Sequence, residues 1–191
     1  MLRNYLKIAW RNLIRNKGYA LLNMTGLALG MACAILILLW VNDEMQYNRF
    51  HANYNRLYQF FENQTYDGKT FTFSAMPGPF APAAKQEIPE IKYIARTDWR
   101  SRVLFSYGDK NIYELGYYTD PDFLKMFSFP LLKGNIETAL KDPYSVILTE
   151  SLAKTLFGNA NPIGKQIKLD NEYTVHVTGI IKDPPHHSSI R

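Results

Sequence analysis

Residues 19–41 read YALLNMTGLALGMACAILILLWV, from Tyr19 to Val41, with no charged side chain in 23 positions. At about 1.5 Å per residue a helix of this length runs ~35 Å, enough to cross a hydrocarbon core of ~30 Å with some tilt. Ten Leu, Ile and Val residues in the stretch favour insertion, and only Asn23, near its start, opposes it. The stretch exceeds the ~7–15 apolar residues of a signal-peptide core, and no small-x-small cleavage site follows it. The expected division is a cytoplasmic basic helix over 1–17, a transmembrane helix over 18–42 and an extracytoplasmic domain over 43–191.

Charge orients that division. The chain of 191 residues carries a formal +5, yet Arg3, Lys7, Arg11, Arg15 and Lys17 lie in the first 17 residues without an acid among them. From Gly18 onward 17 basic and 17 acidic residues cancel. The excess is therefore juxtamembrane, where Lys and Arg mark the cytoplasmic side. A basic pI with this distribution gives no support to nucleic-acid binding. The single cysteine, Cys33, sits in the apolar run, so there is no disulfide framework and no cysteine metal site. Gly30 stands where a lipobox has an aliphatic residue, and a greasy tail follows Cys33, against lipidation.

Leu2, Tyr5, Leu6, Ala9, Trp10, Leu13 and Ile14 recur at helical spacing, with Arg3, Lys7, Arg11 and Arg15 on a neighbouring arc and Ile8 out of pattern. A basic amphipathic helix beside a span suits an anionic lipid surface, at ~1 kcal/mol per cation; a topogenic flank without further role has the same pattern. Gly18 is the expected breaker between foot and span. Gly26, Gly30 and Ala34 form a small-xxx-small ridge that permits close approach of another helix. Trp40 is placed as an interfacial anchor.

Residues 55–191 read as α+β. Arg56–Gln64 and Lys69–Ala75 are expected as strands across an Asp67-Gly68 turn, followed by a helix over Phe80–Ile88. Strands are expected at Tyr93–Asp98, Val103–Tyr107 and Asn111–Tyr118. Asp120-Pro121 has the form of an N-cap with Pro in the first turn of a helix. Loops at Pro130 and Gly134 precede strand Ser145–Leu148 and helix Glu150–Phe157, capped by Thr149. Gln166–Leu169 and Tyr173–Ile181 complete a hairpin around Asp170-Asn171.

Residues 144–164, YSVILTESLAKTLFGNANPIG, followed by Lys165 and by YTVHVTGIIKD over 173–183, resemble the periplasmic core of MacB/FtsX-like ABC transporter permeases. The shared pattern is an aliphatic strand, a [TS]-E-x-x-A-x-x-[LM]-F-G helix, an [ND]-P-[IV]-G-K turn and a strand ending V-x-G-[IV]-x-[KD]-x-P. Residues 6–32 are similar to the family's first span, with its W-R-N-L-x-R-N-K entry. Residues 60–135 are more variable. The motif positions Glu150, Phe157, Gly158, Pro162, Gly164 and Gly179 have structural roles: Phe157 plugs a helix into the core, Gly158 supplies a left-handed C-terminal turn, and Pro162-Ile163-Gly164 suits a tight turn.

The resemblance implies an α+β extracytoplasmic domain behind the first of four spans, so the chain is expected to be an N-terminal fragment. It implies a permease subunit in the bacterial inner membrane, N-terminus cytoplasmic, that couples ATP hydrolysis on a separate ATPase to export, lipoprotein extraction or hydrolase activation. Implied partners are that ATPase, membrane lipid, a second permease as homodimer or heterodimer, and a periplasmic protein. The alternative is a single-span anchored sensor or binding module. No catalytic, cofactor or metal residue is nominated. Gly158–Lys165 has five residues between its glycines where a phosphate loop has four, and Gln166 replaces the hydroxyl that holds magnesium. His176, His186 and His187 lack tetrahedral companions. The carboxylate pairs Asp43/Glu44 and Asp120/Asp122 read as a membrane flank and a helix start. The aromatics Tyr58, Phe60, Phe61, Tyr117 and Tyr118 read as sheet packing before ligand platform.

Overall fold

The computed structural model describes residues 2–190; the side chains of Leu2 and Leu6, assigned above to the apolar stripe, lie outside what it describes. The chain divides into two units, Met1–Tyr47 and Asn48–Arg191. In the first, α1 (Leu2–Arg15) meets α2 (Lys17–Met45) at Asn16, whose φ of −112° and ψ of 55° leave the helical region. Gly18, the expected breaker, lies inside α2. Glycine permits a break without requiring one; at Asn16 the side chain makes no capping bond, and its N–H and carbonyl still bond to Asn12 O (3.0 Å) and the Ala20 N–H (2.9 Å). Helix α2 is long and apolar enough to cross a membrane by length and composition. Its Thr25 hydroxyl is satisfied within the helix, donating to the carbonyl of Leu21 (2.8 Å) or Leu22 (3.0 Å).

The second unit is α+β. A separate hairpin pairs β1 (Glu62–Tyr66) with β2 (Lys69–Phe73); Asp67 and Gly68 both take positive φ, as a two-residue hairpin loop demands. After α3 (Phe80–Glu87) come β3 (Ser101–Tyr107), β4 (Lys110–Gly116), α4 (Phe123–Met126), β5 (Leu131–Gly134), β6 (Ser145–Thr149), α5 (Glu150–Phe157), β7 (Gln166–Leu169) and β8 (Tyr173–Ile181). The main sheet runs β4-β3-β7-β8-β5, with β6 parallel to β8. His176 pairs with both Gln166 and Ser145, and Ile180 with both Lys133 and Leu148. One edge of β8 therefore carries β7 and then β5, while β6 takes the other edge from His176 to Ile181.

Alternation along these strands makes two cores. Leu148 and Ile180 join Val103, Phe105, Ile167, Val175 and the wholly buried Val177 beneath α5. Their neighbours Ile147 and Ile181 face the other way, onto Phe123, Leu124, Phe129 and Ala139. The β6–β8 register skips Thr178, and its hydroxyl, donating to Ala139 O (2.6 Å) or Val146 O (3.2 Å), satisfies the bulge.

Four expectations are corrected. Tyr93–Asp98 is no strand; it holds one bridge, Thr97 to Thr119, with backbone bonds from Asp98 N–H to Tyr118 O (3.1 Å) and from Asp120 N–H to Arg96 O (3.2 Å), and side chains take the next donors, the Arg96 and Tyr118 N–H groups. Arg96 forks onto Asp120 at 2.8 and 2.9 Å, and Asp98 Oδ1 accepts from the Tyr118 N–H at 2.7 Å. Asp120 is thereby removed from capping duty, and α4 starts after Asp122. The first hairpin strand begins at Glu62; before it lie a 3₁₀ turn, Tyr54–Arg56, and irregular chain whose Phe60 ring packs edge-on against Phe80. The stretch between Pro130 and Gly134, expected as loop, contains strand β5.

Candidate functional site

The motif residues converge around α5 and the strand that follows it. Thr149 Oγ1 accepts from the Leu152 N–H at 3.4 Å, and Asp183 Oδ1 accepts from both the N–H (3.1 Å) and Oγ (2.8 Å) of Ser151. Glu150 adds a carboxylate in the first turn, where the free N–H groups favour it. At the other end Phe157 is buried, its ring 4.4 Å from that of Tyr107. Gly158 ends the helix at φ 61° and ψ −124°. The positive φ was expected, but this ψ lies outside the left-handed helical basin, in a region essentially confined to glycine.

The following turn runs 162–165: the Lys165 N–H returns to Pro162 O at 3.1 Å, with Gly164 at φ 80° in the third position. That is the position where a type II turn requires glycine; Pro162 stands one place earlier than the usual proline and is buried. The turn is sealed to β8 by Gly164 N–H to Val177 O (2.8 Å) and Val177 N–H to Lys165 O (2.9 Å). Lys165, the last motif residue, lays its ammonium over the rings of Tyr107 and Phe157 and donates to Tyr107 Oη at 3.2 Å. Gly179 sits at a close crossing: a Cβ there would lie 3.2 Å from both Ile147 Cγ1 and Leu131 Cδ1, so those side chains would have to shift by a few tenths of an ångström. Gly134, which the sequence marked only as loop, is tighter: at φ 101° its Cβ would sit 2.4 Å from Thr178 O.

The other nominated residues lie in the first unit. Arg3, Lys7 and Arg11 line one shallow groove on α1 together with Trp10. Arg15 is in the last turn of α1 and Lys17 opens α2. Gly26, Gly30 and Ala34 are exposed along α2, and a Cβ added at either glycine meets nothing within 4 Å. Among the described residues no group of three or more His, Cys, Asp or Glu side chains is arranged to hold a metal. No local pattern marks the segment 48–56, where Asn48 bonds to His187 and Ser189, His51 and Ala52 to Ser128, and Asn53 to Met126, all remote in sequence. Only a fold brings those positions together.

The α+β domain that follows the apolar helix, with this α5–turn–β7–β8 unit, is a MacB-like periplasmic domain of the ABC transporter permease family. The chain belongs to the family of the MacB-like periplasmic core domain, whose model matches residues 20–190. Among solved structures, a domain of a protein assigned as a permease from Porphyromonas gingivalis is 30% identical, with a TM-score of 0.55 over 63% of this chain and 57% of that one. The periplasmic region of MacB from Actinobacillus actinomycetemcomitans is 21% identical, with a TM-score of 0.43 over 54% of this chain and 50% of that one. The extracellular domain of the noncanonic ABC-type transporter YknZ from Gram-positive bacteria is 15% identical, with a TM-score of 0.45 over 53% and 55%. The chain thus spans about half the length of these solved relatives. Comparison with curated proteins gave no significant match.

Proposed function

We propose that the chain acts as the membrane-spanning permease subunit of an ABC transporter, coupling ATP hydrolysis on a separate ATPase to work on the far side of the membrane. The observation that carries this reading is the reach of the family match, which begins inside the apolar helix and runs to the end of the α+β domain. Helix α2 is the membrane anchor, and the basic face of α1 rests on the anionic inner leaflet of the bacterial cytoplasmic membrane. The domain that follows is then periplasmic. The work is export, lipoprotein extraction or activation of a hydrolase, carried out with a second permease copy or a homologous permease and a periplasmic partner.

Two measurements test this. In a Cys33→Ser background, a membrane-impermeant maleimide applied to intact spheroplasts should label Tyr58→Cys and spare Lys7→Cys; the reverse pattern overturns the topology. Purification of the full-length protein from native membranes should bring down an ATPase whose hydrolysis rate changes when the permease is present. Isolation without any ATPase would favour the single-span sensor instead.

A further inference from the structure

The second unit opens with residues 48–56, which belong to neither sheet yet are held at several points. Asn48, at φ 59°, donates its N–H to His187 O (2.9 Å), and its Oδ1 accepts from the N–H (2.9 Å) and Oγ (3.1 Å) of Ser189. The Ala52 N–H donates to Ser128 Oγ (3.0 Å), and Asn53 Nδ2 donates to Met126 O (3.1 Å). Between these ties His51 is only 3% exposed. Its Nδ1 accepts from the Ser128 N–H at 3.1 Å, which assigns the neutral tautomer with the proton on Nε2. That Nε2 is buried without a hydrogen-bond partner among the described residues. The rings of Phe50, Phe129 and Phe127 surround the imidazole, with centroids at 3.9, 5.0 and 5.2 Å.

We propose that residues 48–56 form an acid-released latch, in which protonation of His51 expels its ring from the Phe50–Phe127–Phe129 cage and frees the segment from residues 125–128 and 187–189. A second proton must enter at Nδ1, where it ends the bond from Ser128 and sets two N–H groups against each other. The resulting cation lies among phenyl rings. The ionisable groups on the surrounding elements offer no compensation. Arg49, Tyr54 and Arg56 share its segment, and Lys125 lies on α4, paired with Asp122 (3.7 Å) and Glu137 (3.0 Å). The closing stretch carries Lys182, Asp183, His186 and His187, and Asp183 Oδ1 is engaged by Ser151.

Burial accordingly holds the His51 pKa below its ordinary value. The closed latch is favoured in full above the unfolded value near pH ~6.5. As pH falls below it, the opened segment binds a proton that the closed one refuses, and the opening equilibrium grows by up to about tenfold per pH unit until the closed-state value is reached.

Hydrogen exchange on the full chain in lipid nanodiscs, at pH 7.5 and 5.5 and corrected for intrinsic rates, tests the latch. Peptides covering 48–56 and 187–189 should lose severalfold to tenfold protection at the lower pH while α5 and β8 keep theirs. His51→Gln cannot titrate and keeps a polar side chain of similar reach, so its protection should not respond to pH, whereas His187→Gln should respond as the native chain does. Equal native protection at both pH values overturns the proposal, as does a pH response that survives His51→Gln. Should His51→Gln be open at both pH values, the imidazole of the native chain decides by NMR titration. A His51 value below 6.5 supports the latch, and one at or above it overturns it.

Discussion

Gly134 carries a constraint that no local pattern announces. It combines a φ of 101° with an approach in which Cβ would fall 2.4 Å from a backbone oxygen, and neither cost can be relieved by a side-chain rotation. Gly134→Ala should therefore destabilise the domain by about 3 kcal/mol. Gly108→Ala, at φ 57° with open space around it, should cost only about 1 kcal/mol. Thermal unfolding of the two variants, compared by Tm, checks the difference. Asp120 gives a residue-scale prediction with a sign. Its carboxyl is held below the ordinary carboxylate range, first by hydrogen bonds from the Arg96 side chain and against the pull of burial. A depressed folded value contributes stability that is complete above about pH 4 and is lost as pH falls through the folded value. Native protein should thus lose Tm more steeply than Asp120→Asn on acidification below pH 4; parallel profiles would show that the Arg96 fork contributes nothing net.

At the scale of elements, α5 and its turn illustrate what a sequence can announce. Thr149, Gly158 and the Asp170-Asn171 loop act through their own backbone or nearest turn, so the bounds of the helix and of the β7–β8 hairpin were legible to the residue, whereas the Phe157 ring meets Tyr107 only in the fold. The misses share the opposite property. Arg96 and Asp120 are 24 residues apart and chose each other over strand pairing and capping. Strand β5 exists because β8 offers it an edge beside Gly179. Chemistry at His51 was invisible for the same reason, since its cage comes from residues 127–129. The local unit makes its own prediction. Phe157→Ala should cost about 3–5 kcal/mol through the cavity it leaves between α5 and Tyr107. Lys165→Met, which keeps a long apolar stem over both rings and loses a cation–π contact of about 0.5–1 kcal/mol, should shift the unfolding midpoint only slightly. Equal losses in the two variants would show that the ammonium, and not the ring packing, holds the turn.

At the scale of the whole molecule, the two functional readings part company over the small-residue ridge of α2. A span that faces lipid on all sides gains from larger apolar side chains, by ~0.3–0.6 kcal/mol for each Leu or Ile near its centre. A span that packs on other helices through Gly26, Gly30 and Ala34 loses from the same change, because close backbone approach is what small residues permit. Since a Cβ at Gly26 or Gly30 meets nothing within 4 Å in this chain, neither substitution disturbs a contact already present. Gly30→Leu therefore reads out only what the surrounding membrane assembly supplies. If the chain is one span of a multi-span permease, Gly30→Leu in the full-length protein should lower recovery of the assembled transporter, while protease resistance of the domain after residue 48 stays native. If it is a single-span sensor, recovery should be unchanged or slightly raised. The direction of that one change separates a helix built into a bundle from a helix built only to hold.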